Sequence, residues 1–268
     1  MLSGLSSAFM PVRRRSVAPA GWLALLAASA LAWAATVRSA SGTSPGPGTM
    51  GRDLPGFLVL WVLMMAAMML PSIAPTLGLY LRTIRARPGS TRGSGLTLAT
   101  RGAGLVAGYL LAWAAFGVPA FAAAWAGGEL AARAPQPAAW LGAFLLAAAG
   151  LYQLTPLKDR CLRQCRSPLG FLVRFGDYHG RLRDVRIGLW HGAYCLGCCW
   201  ALMVVLIAVG VMNLAWMTGL AATVFLEKTW RYGKALSIVF GLALIVFACF
   251  VPSHPGLIPG LHGTGMTM

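Results

Sequence analysis

The chain has 268 residues, of which 58% are hydrophobic and only 10% charged, against about 25% charged in soluble domains. Its formal net charge is +16, yet nineteen of the 22 Lys and Arg fall in four short segments: Arg13 to Arg15, Arg82 to Arg101, Lys158 to Arg186 and Lys228 to Lys234. Basic segments that alternate with loops nearly free of Lys and Arg are the positive-inside pattern of a membrane protein. The charge therefore points to anionic lipid headgroups and away from nucleic acid.

Residues 1–53 read as a basic head, a first apolar segment from Ala18 to Val37, and an outer loop rich in Gly, Ser and Pro. Ala32-Trp33-Ala34 has the form of a signal-peptide cleavage site. The apolar run continues past it, so an uncleaved anchor is the expected reading. Residues 54–251 read as a helical membrane domain. Its first span starts near Leu54 and runs through Met64, Met65, Met68 and Met69 to Pro71 and Pro75, which should kink or end it. Small residues Ala66 and Ala67 would admit a neighbouring helix. A basic loop from Arg82 to Gly102 follows. Spans then cover about Ala103 to Ala126 and Ala138 to Leu154, rich in Ala and Gly and read as scaffold. Residues 155–190 read as a basic, cysteine-containing cytoplasmic loop with His179 in it. Between Ile187 and Leu226 the only ionisable residues besides cysteines are His191 and Tyr194. Two spans joined by a turn at Gly210-Val211-Met212-Asn213 fit that stretch. A last span, about Gly233 to Val251, holds Cys249, read as core. Residues 252–268 read as a flexible external tail whose His254, His262, Met266 and Met268 offer weak copper ligands. The fold expected is all-α: a polytopic helical membrane protein of about seven transmembrane helices, amino terminus in and carboxyl terminus out.

The chemistry concentrates in His191-Gly192-Ala193-Tyr194-Cys195-Leu196-Gly197-Cys198-Cys199-Trp200-Ala201-Leu202-Met203. In a helix, His191, Cys195, Cys199 and Met203 recur every four residues and form a slowly drifting ladder, and Cys198 joins the same side. Three thiols, an imidazole and a thioether on one face suit a soft metal such as Cu(I), or thiol redox chemistry. Cys and Met are also good apolar filler in a buried helix. The i,i+4 pairs Met64 with Met68 and Met65 with Met69 divide in the same way between flexible packing and soft-metal ligation. By depth along their helices, Met68 and Met69 lie within about 6 Å of the level of Cys199, so the two clusters meet if their helices are neighbours. Cys161 and Cys165 are spaced CxxxC, unlike the CxxC of zinc knuckles. They would face one way if the preceding helix continued, among Arg and Lys that favour thiolate. Glu227, beside Lys228 at a membrane edge, suits an ion-pair anchor or a proton-coupling group.

Trp61-x-x-Met64-x-x-Ala67-Met68-Met69-x-Pro71, Lys158-x-x-Cys161-Leu162-x-x-Cys165-Arg166-x-Pro168, Cys195-Leu196-Gly197-Cys198-Cys199-Trp200-x-Leu202-Met203, Met212-Asn213-Leu214-x-Trp216-Met217 and Glu227-Lys228 together resemble the domain of unknown function 2182 family. That resemblance implies a predicted metal-binding integral membrane protein of bacteria, in the cytoplasmic (inner) membrane. It covers the second span through Lys228 and supplies no substrate.

The choice of metal follows from ligand softness. Cu(I) accepts two or three soft ligands, while zinc, or another divalent metal, would more often want four. The expected ligands are Cys195, Cys198 and Cys199, flanked by His191 and Met203. Met64, Met65, Met68 and Met69 would form a relay, with Cys161 and Cys165 as cytoplasmic acceptors. The expected function is soft-metal transport, delivery or metalloenzyme assembly, with a metalloprotein or metallochaperone as partner. The alternative is a membrane thiol–disulfide oxidoreductase using Cys161 with Cys165 and Cys195 with Cys198. The sequence has no P-loop, GxSxG, HExxH or phosphorylatable Asp motif, so pumping driven by this chain alone is not expected.

Overall fold

The computed structural model describes residues 18–41, 48–86, 95–175, 180 and 182–261, and these are helical with no strand. Among the described residues nine α-helices follow one another: α1 (Ala18–Ser41), α2 (Leu54–Ala86), α3 (Gly95–Arg133), α4 (Pro135–Gln153), α5 (Pro156–Arg166), α6 (Pro168–Phe175), α7 (Arg183–Val209), α8 (Leu214–Thr229) and α9 (Gly233–Phe250). Five of them (α1, α2, α3, α7 and α9) are long and apolar enough to cross a membrane, and α4 with α5 makes a sixth if that bent pair is one span. The expected count of seven is reached only by adding α8, whose 16 residues fall short of the roughly 20 that a bilayer core asks for.

Several boundaries differ from the sequence expectation. Neither Pro71 nor Pro75 ends α2, which runs on to Ala86. Helix α3 is 39 residues long and takes in residues 95–102 of the expected basic loop before it and residues 127–133 after the expected span. Glu129 and Arg133, which lie between the two expected scaffold spans, form an i,i+4 ion pair of 2.7 Å at its end. The expected loop at 155–190 contains two helices and the start of a third. Thr155 is extended (φ −76°, ψ 147°) and its side chain accepts a hydrogen bond from the Lys158 amide, so it caps α5, with Pro156 at the first helical position. A cap followed by proline ends one helix and starts another, and α5 leaves α4 at 62°. Ser167-Pro168 repeats the device before α6. His179 lies outside the described residues.

The centre of the bundle is the pair α3 and α7. Gly104-x-x-x-Gly108 on α3 faces Gly188-x-x-x-Gly192 on α7. A methyl group at Gly108 would overlap the Val185 carbonyl, and one at Gly188 would overlap that of Leu105. Only glycine permits backbones this close, the small-residue packing common between membrane helices. Helix α2 packs on α1, α3 and α8, and α9 packs on α4 and α8. Ser29 of α1 donates to the Ala67 carbonyl at 2.7 Å, at the small residues that admit a neighbour. The turn after α7 needs Gly210, at φ 101°, and Asn213 caps α8 through its side chain. The described part of the tail turns back through Pro255–Leu257 and Pro259–Leu261, burying Ile258 and Leu261. His262, Met266 and Met268 lie outside the described residues. The outward faces of the long helices are apolar, with Leu31, Val59, Phe144, Val239 and Val246 exposed.

Candidate metal centre

The α3–α7 contact sets up the site. Beyond Gly192, α7 carries Cys195, Cys198 and Cys199, all buried. Their sulfurs lie within 4.8 Å of one another, the one group of three or more candidate ligand residues among those described. The Sγ atoms of Cys198 and Cys199 are 3.2 Å apart, and the Cys198 thiol lies 3.1 Å from the Cys195 carbonyl. Spacings of three and four residues bring these side chains onto one helix face, as the sequence implied.

Three other helices close over the thiols. From α3, the Tyr109 hydroxyl lies 3.0 Å from Cys195 Sγ. From α8, Lys228 Nζ donates to Cys195 Sγ at 3.0 Å and to the Ser72 hydroxyl of α2 at 3.1 Å. From α5, Cys165 Sγ stands 4.0 Å from Cys198 Sγ. Ser72 in turn donates to the Met69 carbonyl at 2.8 Å, so the methionine turn of α2 reaches the thiol cluster through this serine. Met64, Met65, Met68 and Met69 are all buried in the same apolar core, as is Met203 one turn beyond Cys199.

The other expected residues fall out as follows. His191 is buried between the rings of Tyr109 and Phe171, at 5.9 and 5.0 Å, and its Nδ1 has no hydrogen-bond partner. It is not in the three-thiol group. Cys161 is half-buried and packs on Gly197, where an added methyl group would lie 2.7 Å from its sulfur. Glu227 meets Lys158, not its neighbour Lys228: Lys158 Nζ donates to both carboxylate oxygens at 2.8 Å and also to Gln153. Cys249, read as core from sequence, is exposed on the outward side of α9. Sequence reasoning gave Tyr109 and Ser72 no role, and it placed Lys228 only as the neighbour of Glu227 at a membrane edge.

A cluster of buried thiols without a disulfide among them, held beside one ammonium group, is a soft-metal environment. Residues 58–251 match the PpoB2 family, described as copper chaperone. The chain belongs to this copper chaperone family. It is a metal-related family, as the resemblance implied, under a different name and with copper specified. No curated protein and no solved structure matches the chain. The matched span contains every thiol of the cluster together with Tyr109, Cys161, Cys165 and Lys228, and leaves α1 and the tail outside.

Proposed function

We propose that this copper chaperone is an integral membrane protein that holds Cu(I) on Cys195, Cys198 and Cys199 and delivers it to a metalloprotein or metallochaperone partner. The observation that carries the reading is the buried three-thiol group with Lys228 Nζ 3.0 Å from one sulfur. Cu(I) is a soft ion that binds stably to two or three sulfurs. Two thiolates and one Cu(I) carry a single negative charge, and the Lys228 ammonium neutralises it. In an apolar interior an uncompensated charge is expensive, so this balance favours the monovalent ion on two sulfurs. The third sulfur is then free to compete for the ion, which is what delivery requires.

His191 and Met203 flank the group, and Met64, Met65, Met68 and Met69 supply thioethers on the approach from α2. Zinc or another divalent metal would instead call on all three thiolates for neutrality. The apolar outward faces of the long helices support a bilayer location, and the basic segments support binding to anionic headgroups, with the amino terminus inside. A bacterial inner membrane is the membrane this reading assigns.

The test is copper content by mass spectrometry on protein purified anaerobically in detergent, paired with a free-thiol count. Stoichiometric copper in the wild type and in Cys249→Ser, lost in the Cys195→Ser, Cys199→Ser double variant, is the expected result. Equal copper in wild type and double variant would sink the site. Disulfides in place of copper would favour the thiol–disulfide oxidoreductase, through Cys161 with Cys165 and Cys195 with Cys198.

A further inference from the structure

We propose that Cys165 and Cys161 on α5 are transient ligands that lead the copper ion from the buried thiols to the surface. This rests on the copper-binding role of the triad. Three observations carry it. The first is distance. Two sulfurs that share one metal ion through bonds of about 2.3 Å lie at most about 4.6 Å apart. Cys165 Sγ is 4.0 Å from Cys198 Sγ, so one Cu(I) fits between them with no movement of either helix.

The second is a gradient of exposure. Cys195 and Cys199 are 0% exposed, Cys198 1%, Cys165 7%, and Cys161 is half-buried. Each step along the series brings the ion nearer the surface. Cys161 lies one helical turn from Cys165 on the same face of α5, within side-chain reach.

The third is that α5 is built to hold this position. The glycine at 197 leaves the notch in which Cys161 sits. The Thr155 cap fixes one end of the helix, and Arg166 donates to the Trp230 carbonyl at 2.7 Å at the other. The Tyr152 hydroxyl bonds the Gly197 carbonyl from the end of α4. Exposed Arg160 and Arg163 flank Cys161 on the outer face, which suits an acceptor with acidic groups around its own thiol.

The transfer is ligand exchange. A bond from copper to Cys165 sulfur forms as the bond to Cys198 sulfur breaks, and the proton of the incoming thiol passes to the outgoing thiolate. The same exchange moves the ion from Cys165 to Cys161, and from Cys161 to a thiol of the acceptor. Copper remains Cu(I) throughout, so no electron donor or acceptor is needed.

The experiment uses the full chain in detergent, anaerobic, in a Cys249→Ser background. The protein is loaded with Cu(I), and the ion is drawn off by bicinchoninate, whose copper complex is coloured. Cys161→Ser is expected to keep the copper stoichiometry and to release the ion about tenfold more slowly, and Cys165→Ser to do the same. Unchanged release rates overturn the relay, and loss of bound copper in Cys161→Ser would place that thiol in the primary site, overturning it too. A second measurement needs no α5 variant. Iodoacetamide treatment of the copper-loaded protein alkylates Cys161, and slowed release from that material supports the relay, whereas release as fast as before overturns it. A protein that takes up no copper at all fails at the earlier step, the role of the triad, and is told apart by its metal content.

Discussion

Two lysines are buried in this bundle, and they are treated differently. Lys158 is 1% exposed and faces Glu227, also 1% exposed, with Gln153 completing the contact and Ser237 donating to Gln153 at 3.2 Å. Lys228 follows Glu227 in sequence but points about 100° away around α8. Among the described residues it has no carboxylate within 4.0 Å; its side-chain contacts are the Ser72 hydroxyl and the Cys195 sulfur. The first lysine closes a structural joint between α4, α5, α8 and α9. The second leaves its charge to be met by thiol chemistry. A buried cation without a carboxylate is costly to keep, and such groups within apolar helices mark function. On the function proposed above, one lysine serves stability and the other serves copper.

The sharpest way to break that contrast is to remove one partner from each. Glu227→Gln leaves Lys158 buried and unpaired, a change expected to destabilise by about 3–5 kcal/mol. Thermal unfolding in detergent would read this as a large loss, with stoichiometric copper retained in whatever protein still folds. Lys228→Met should do the opposite. In the copper-free protein Cys195 can hold its proton as a neutral thiol, so no unpaired charge is left behind and stability should change little. Copper affinity should fall by tenfold or more, because a hydrogen bond to a charged group contributes about 1.5–3 kcal/mol and tenfold corresponds to about 1.4 kcal/mol. Competition against a chelator of known affinity measures it. If Glu227→Gln lowered copper affinity as much as Lys228→Met while leaving stability intact, the division of roles would be wrong.

The same contrast explains what sequence could and could not reveal. Cys195, Cys198 and Cys199 were legible because helical spacing alone puts them on one face. Lys228 was not, because adjacency to Glu227 suggests an ion pair that the helix turn forbids. Tyr109 and Ser72 come from helices whose approach depends on tertiary packing. The paired glycine motifs at Gly104, Gly108, Gly188 and Gly192 were the available signal that α3 and α7 lie against each other. The basic stretch after residue 155 hid α5 and α6 behind its charge, although Thr155-Pro156 and Ser167-Pro168 are helix-start signals. Cys249 went to the wrong side because α9 is apolar all round, and composition cannot say which face of such a helix meets the core.

The smallest expected effect separates the two donors on Cys195. The Tyr109 hydroxyl and Lys228 Nζ both lie 3.0 Å from its sulfur, but only the lysine carries charge. Tyr109→Phe removes the hydrogen bond of an uncharged donor and keeps the ring against His191. The hydroxyl brings no charge of its own to the sulfur whereas the ammonium does, so copper affinity should weaken only a few-fold, short of the loss in Lys228→Met. Affinity measured by the same chelator competition on both variants orders them directly. If the two variants weakened binding equally, charge would not be what Lys228 contributes, and the anionic Cu(I) bis-thiolate neutralised by the ammonium would have to give way to a site ordered by hydrogen bonds alone.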